Sequence, residues 1–208
     1  MQNNNLLKKA LLALLLCVAL PYVNAQVHVG DILCEGNLIY PPSIYPSSGA
    51  TAMGVVFYVD QTGQHGWAVA LQYTGGYTWG CARTDTPLPN YENKRQAIYD
   101  LDGYENTRIV REHSTDHPAF YAVDFENGWY VPTFGQFNYL YGNILEVNTS
   151  LEKVGGDRFT GGWEIWTSTE YSWQNVWFWT SSGDFDNWGY DYSGNKGLSR
   201  TVRAVRNF

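Results

Sequence analysis

Residues 128–144 read GWYVPTFGQFNYLYGNI and carry the clearest helix signal in the chain. Thr133, followed three residues later by Gln136, forms a capping-box pattern, in which each of the two side chains bonds the other residue's backbone N–H. The apolar residues that follow share helical spacing and would lie on one face: Phe137, Leu140, Tyr141 and Ile144. The stretch therefore predicts a helix that begins at Thr133 and packs along one side.

The residues after this helix predict a second helix and then several strands. Thr149-Ser150-Leu151-Glu152 repeats the capping-box pattern, and Gly155-Gly156 provides a helix stop. Residues 163–169 and 176–180 are aromatic and β-branched, as in buried strands. Residues 201–208 alternate Val202 and Ala204 with the more polar Arg203, Arg206 and Asn207, which predicts a closing strand.

The N-terminal half predicts a hairpin and two short helices. Residues 53–59 and 67–71 are strand-like and flank a turn at 60–66, while 93–104 and 106–113 have helical spacing. The order of strands, helices and further strands predicts an α+β domain with short antiparallel strands, two main helices and long loops. No repeat or long linker divides residues 26–208, so we expect one domain there.

Residues 1–25 have the layout of a secretory signal peptide. Lys8 and Lys9 precede an apolar run, and Val23-Asn24-Ala25 suits a signal peptidase site. We therefore expect export to the periplasm, the outer surface or the medium. No later apolar run is long enough to predict a transmembrane segment.

Charge and cysteine content limit the partners of residues 26–208. Without Lys8 and Lys9, the 13 basic residues fall to 11 against 20 acidic ones, a formal charge of −9. Such a charge disfavours nucleic acid, anionic membranes and sulfated polysaccharides as ligands. Cys34 and Cys81 could form a disulfide in an exported protein or remain two separate buried thiols.

Five separated motifs in residues 128–208 resemble the Lcl C-terminal family, which is named after bacterial collagen-like adhesins. The family pattern is W-x-L-P, a helix, W-S-S-T-E, an aromatic strand and V-R-x-V-R. The matching residues here are Trp129–Pro132, the helix with Gln136 and Leu140, Trp166–Glu170, Val176-Trp177 and Val202–Arg206. Val131 and Thr167 replace the usual leucine and serine. The resemblance implies a C-type-lectin-like fold and an exported adhesive or ligand-binding module.

The segment from Trp166 to Glu170 admits two interpretations. Ser168, Thr169 and Glu170 could contact a ligand through their hydroxyls and carboxylate. Alternatively, the hydroxyls bond the backbone and Glu170 pairs internally with Arg203 or Arg206. We favour the internal ion pair, because the motif accompanies a basic terminal strand.

An aromatic loop is the leading candidate for ligand binding. Aromatic faces stack on the C–H faces of sugars, while amides and carboxylates bind hydroxyls, so the candidate glycan contacts are Trp188, Tyr190, Tyr192, Asp186, Asn187, Trp177 and Trp179. Strand alternation places Trp177 and Trp179 on one face and Phe178 on the other, so this strand could also be buried on both faces. The possible calcium ligands are Asp184, Asp186 and Asp191, although the EF-hand spacing is not met.

We expect a non-catalytic binding module that recognises a glycan or a protein partner at the bacterial cell surface. No catalytic residues are assigned, and calcium is the only cofactor considered. One alternative is a structural subunit of a surface assembly. A weaker alternative is a glycan hydrolase with paired carboxylates in a cleft.

Overall fold

Two β-sheets and the helices packed against them organise the part of the chain that the computed structural model describes, which is residues 26–81, 85–180 and 192–208. The first sheet has six antiparallel strands in the order β2-β1-β3-β4-β11-β6. Its strands are β1 (Ile32–Cys34), β2 (Leu38–Tyr40), β3 (Ala52–Val59), β4 (Gly66–Ala70), β6 (Trp129–Tyr130) and β11 (Val205–Asn207).

The second sheet has five strands in the order β5-β10-β7-β8-β9 and is mixed, because β10 runs parallel to β7. Its strands are β5 (Thr74–Thr78), β7 (Glu164–Glu170), β8 (Asn175–Thr180), β9 (Tyr192–Asn195) and β10 (Ser199–Val202). The helices are α1 (Tyr45–Ser48), α2 (Lys94–Ala97), α3 (Gly103–His113), α4 (Pro118–Tyr121), α5 (Phe134–Gly142) and α6 (Ile144–Lys153). This mixture confirms the α+β prediction.

Helix α5 begins as its sequence predicts, whereas α6 does not. The Thr133 side chain accepts from the Gln136 backbone N–H at 3.1 Å, and the Gln136 side chain accepts from the Thr133 N–H, which completes the capping box. The second capping-box prediction is wrong, because α6 begins at Ile144 and Thr149 lies inside it. There the Thr149 hydroxyl donates to the Leu145 carbonyl one turn earlier, as mid-helix threonines do.

The predicted hairpin is present as β3 and β4, which pair antiparallel. The predicted closing strand, by contrast, is divided between the two sheets. Val202 ends β10 opposite Thr74 in the second sheet, and Val205 starts β11 opposite Val69 in the first. The chain therefore crosses between sheets within two residues.

Arg203 lies at this crossing and is fully buried. Its guanidinium sits 4.4 Å from the Tyr73 ring centroid and 5.0 Å from that of Phe159. It also donates to the Asp157 carbonyl at 2.8 Å. Burial lowers the pKa of Arg203 to about 10, so the side chain stays charged at neutral pH.

Two hydrophobic clusters fill the space on either side of β8. Trp177 and Trp179 belong to the cluster beneath α5 and α6, whereas Phe178 belongs to the other cluster with Trp166. The predicted alternation is therefore confirmed, and both faces of this strand are buried. Among the described residues, no helix is long and apolar enough to cross a lipid bilayer.

Candidate functional site

Most of the predicted aromatic loop lies outside the described residues. This applies to Asp184, Asp186, Asn187, Trp188, Tyr190 and Asp191. Tyr192 begins β9, and its backbone pairs with Phe178 of β8. Because β8 and β9 are antiparallel neighbours, the two ends of the loop meet at the edge of the five-stranded sheet.

Trp177 and Trp179 are core residues, which corrects their assignment as ligand contacts. They are 4% and 2% exposed. The Trp177 indole N–H donates to the Tyr91 carbonyl at 2.7 Å, and the Trp179 ring stacks on Phe137 with 5.7 Å between centroids. A sugar ring could not reach either indole face without opening the core.

Thr169 belongs to a buried polar network that joins β7 to two helices. Its hydroxyl donates to the Asp100 carboxylate at 2.7 Å and accepts from the Phe134 backbone N–H at 2.9 Å. The Asn106 amide of α3 donates to the same carboxylate at 3.0 Å. Burial raises the pKa of Asp100 despite these donors. The network therefore fixes the N-termini of α3 and α5 against the second sheet.

Glu170 forms the predicted internal ion pair, but with a different cation. Its Oε1 accepts from Lys196 Nζ at 2.6 Å and from the Thr86 hydroxyl at 2.8 Å, and both charged side chains are 0% exposed. Lys196 Nζ also lies 4.7 Å from the Trp79 ring centroid. Burial raises the pKa of the Glu170 carboxyl, while Lys196 opposes that rise.

Neither arginine proposed as the partner of Glu170 performs that role. Arg203 occupies the sheet crossing described above, and Arg206 donates to the Asn37 side chain at 2.7 Å. The interpretation of the motif as internal structure is therefore supported, and its predicted partner was wrong. The turn before β10 supplies the cation instead, because Lys196 follows β9 directly.

Cys34 and Cys81 do not pair in the structure. Cys34 is buried in β1, whereas Cys81 is exposed in the segment after β5, and both are free thiols. The disulfide alternative is thus not realised, and only Cys34 fits the alternative of buried thiols.

His113 and His117 are four residues apart, a spacing that would suit two metal ligands on one helix face, but helix α3 ends at His113 and the two side chains lie in different environments. His113 is exposed, whereas His117 is fully buried with its ring edge-on to Trp79, at 5.3 Å between centroids. Burial lowers the pKa of His117, which favours the neutral ring. Within the described residues, no group of three or more His, Cys, Asp or Glu side chains could hold a metal ion.

A partly exposed aromatic patch lies at the tip of the β3–β4 hairpin. Tyr58 and Trp67 are cross-strand partners whose rings stack at 4.3 Å, and the edge of Tyr139 from α5 contacts both rings at 4.8 and 5.6 Å. The sequence analysis did not predict this patch, although Trp67 directly follows the predicted turn and Tyr58 lies two residues before it. Tyr139 also falls outside the predicted apolar stripe of its helix, which is a signal of exposure.

A second exposed apolar surface covers the junction of α5 and α6. Leu145 is 67% exposed, and Tyr139 is 40% exposed. Leu145 and Glu146 line two grooves, one along Tyr141–Glu146 and the other beside Pro42 and Lys153. This α5–α6 face is a surface on which another chain could bury apolar side chains.

Comparison with known proteins identifies a solved structure with a similar fold. No protein-family model and no curated protein matches the chain. A solved structure with a similar fold is a fimbrial protein from Bacteroides ovatus, with a TM-score of 0.67 and 19% sequence identity. The match covers 88% of this chain and 49% of the fimbrial protein, so the chain spans about half of that protein's length. At this identity the likeness shows a shared fold.

Proposed function

We propose that this chain is a non-catalytic structural subunit of a bacterial surface assembly. The observation that carries the proposal is the fold shared with a fimbrial protein over 88% of the chain. Export suits this role, because the predicted signal peptide would deliver residues 26–208 beyond the cytoplasm. The proposal favours the structural alternative over a free-standing glycan-binding module.

The chemistry of the described carboxyl groups also fits a structural role. Asp100 and Glu170 combine burial with raised pKa values, a pairing often found in catalytic acids. Both, however, are enclosed in the protein and bonded to structural partners. A glycan hydrolase would instead place two such groups in an open cleft.

The α5–α6 face is the surface that we assign to contact with a neighbouring subunit. Leu145 projects from the first turn of α6 and lines two grooves, so it can insert into a partner while the partner fills the grooves. Exposed aliphatic and aromatic groups in one place favour protein contact, because their burial is the main source of association free energy.

The resemblance to the Lcl C-terminal family and its C-type-lectin-like fold remains our proposal for the ancestry of the chain. We also propose that Trp188, Tyr190 and Tyr192 contact a partner or glycan, with calcium at Asp184, Asp186 and Asp191 as one way to order the loop. Measuring ligand binding with and without calcium tests this assignment.

Leu145→Glu in the bacterium that produces the protein tests the structural role. A charge at this position should leave the stability within about 0.5 kcal/mol, because Leu145 is 67% exposed and surface substitutions usually have effects of that size. We expect the variant to be exported normally but to fall at least fivefold in the purified surface assembly. Leu198→Glu is the matched control, since Leu198 is 52% exposed on the β9–β10 turn. Equal incorporation of both variants would contradict the assignment of the α5–α6 face. Absence of the wild-type protein from any assembly would contradict the proposed function.

A further inference from the structure

A second surface site is formed where three strands of the six-stranded sheet end together. The backbone register pairs Tyr58 with Trp67 and Trp67 with Asn207, so these side chains form a row across β3, β4 and β11 on one face. Around this row runs a groove of about 290 Å³, whose lining includes Tyr58, Asp60, His65, Trp67, Asn207 and Phe208. We call it the Trp67 groove.

The aromatic part of the groove is held in place by packing beneath it. Trp67 stacks on Tyr58 and lies 6.0 Å from Phe57 of the core, which fixes the indole plane. Phe208 packs against Gly66, the residue before Trp67 in β4. A Cβ on Gly66 would come within 2.7 Å of the Phe208 ring. Tyr58 and Trp67 pack against the cluster beneath α5 and α6, whereas Phe208 packs against the other cluster, and all three rings remain partly exposed where the strands end.

The polar part of the groove is oriented as well. Asp60 Oδ1 accepts from the Thr62 hydroxyl at 2.7 Å and from the Gly63 N–H at 3.0 Å, which fixes the carboxylate in the turn. The Tyr130 hydroxyl donates to Asn207 Oδ1 at 2.6 Å and leaves the Nδ2 amino group as a donor. The bond from Thr62 also lowers the pKa of Asp60, so the carboxylate is ionised at neutral pH.

These features correspond to the chemistry of one class of ligand. A pyranose presents a C–H face that stacks on aromatic rings, and its hydroxyls both donate and accept hydrogen bonds. The groove volume lies just below the range of about 300 to 1,000 Å³ that is typical of pockets for drug-sized molecules, which suits one or two sugar rings. The anionic Asp60 and the formal charge of −9 on residues 26–208 disfavour sulfated and sialylated sugars.

We propose that the Trp67 groove binds the end of a neutral glycan, with a pyranose ring stacked on its aromatic side chains and sugar hydroxyls bonded by Asp60 and Asn207. This site lies on the six-stranded sheet, apart from the loop that joins β8 and β9 in the five-stranded sheet. It would give a surface-assembly subunit an adhesive function of its own.

The test is a glycan array of neutral glucose-, galactose-, mannose- and N-acetylglucosamine-terminated oligosaccharides beside sulfated and sialylated ones. Titration of the best neutral hit with the purified protein then gives its Kd. We expect Trp67→Ala to weaken binding at least tenfold and Asp60→Asn at least threefold. Trp173→Ala is the matched control, because Trp173 is 46% exposed on the β7–β8 turn and lies outside the groove. It should change the Kd less than twofold.

If Trp67→Ala disturbs the fold, Asp60→Asn still tests glycan binding in the Trp67 groove. Asp60 lies in an exposed turn, and the asparagine side chain has the same shape as that of aspartate. Three results would overturn the proposal. These are no binding of any neutral glycan, a preference for sulfated or sialylated glycans, or an unchanged Kd in a folded Trp67→Ala or Asp60→Asn variant. None of these results bears on assembly, which is measured separately with Leu145→Glu.

Discussion

Replacing Lys196 with methionine would remove the cation of the buried ion pair while keeping a side chain of similar length. The two charged groups are 2.6 Å apart and 0% exposed. Glu170 Oε1 would retain only the Thr86 hydroxyl, and Oε2 has no hydrogen-bond partner among the described residues. Removing one partner of such a pair typically costs about 3–5 kcal/mol, because the remaining charge stays buried.

This cost corresponds to a decrease in Tm of roughly 6–20 °C for a domain of this size. It should depend on pH, because burial already raises the pKa of Glu170 and loss of Lys196 raises it further. The penalty is fully present above that raised pKa. The penalty declines as the pH falls through the raised pKa of Glu170, and it vanishes below the unfolded-state pKa of about 4.3.

Urea denaturation at about pH 7.5 and pH 4.5 measures both effects. Lys196→Met combined with Glu170→Met should recover most of the stability, since an apolar pair often replaces a buried ion pair at little cost. Arg108→Met is the exposed control, because Arg108 is 39% exposed in its pair with Glu105, and its loss should stay below about 1 kcal/mol. The reasoning fails if Lys196→Met costs no more than Arg108→Met, or if the double variant is no more stable than the single one.

Two further pairs of variants test the helical part of the fold by thermal denaturation. Gly135→Ala should lose about 1–3 kcal/mol, because its Cβ would clash with the Asp100 carbonyl oxygen. Gly142→Ala has no atom within 4 Å of the new Cβ and should gain up to about 1 kcal/mol. Equal stability changes for the two glycine variants would show that the backbone around Gly135 moves to accommodate the new Cβ. Thr133→Ala should cost about 1–2 kcal/mol through loss of its cap, whereas Thr149→Ala inside α6 should stay within about 0.5 kcal/mol. A larger loss at Thr149 would support the capping role that the structure rejects.

Sequence patterns over a few residues correctly predicted the elements that depend only on neighbouring residues. The β3–β4 hairpin and the start of α5 follow from a turn between strand-like runs and from a complete capping box. The start of α6 was wrong because Thr149-x-x-Glu152 satisfies the same pattern inside a helix. Only one residue, Asn143, separates the two helices, and its amide donates to the Phe57 carbonyl of β3, a contact that the sequence does not reveal.

The positions of buried charges could not be predicted for a related reason. The internal role of Glu170 was expected, but Lys196 reaches it only because β9 pairs with β8 and places the following turn beside the motif. Arg203 was considered as the partner of Glu170, yet it is buried elsewhere, where the chain changes sheets. Both outcomes depend on strand pairing between distant segments.

For the candidate sites too, the sequence predicted which strand face a side chain lies on but not whether that face is buried. Alternation correctly placed Trp177 and Trp179 on one face, but only packing shows that α5 and α6 cover that face. Tyr58 and Trp67, by contrast, stay partly exposed, because they lie at the end of the sheet, at the margin of the core.

Immunogold electron microscopy of the producing cells tests the central claim most directly. If the chain is a subunit of a surface assembly, antibodies to it should label appendages or a surface layer outside the cell, and a strain lacking the protein should show no label. Label confined to the periplasm, or protein found only free in the medium, would contradict the account.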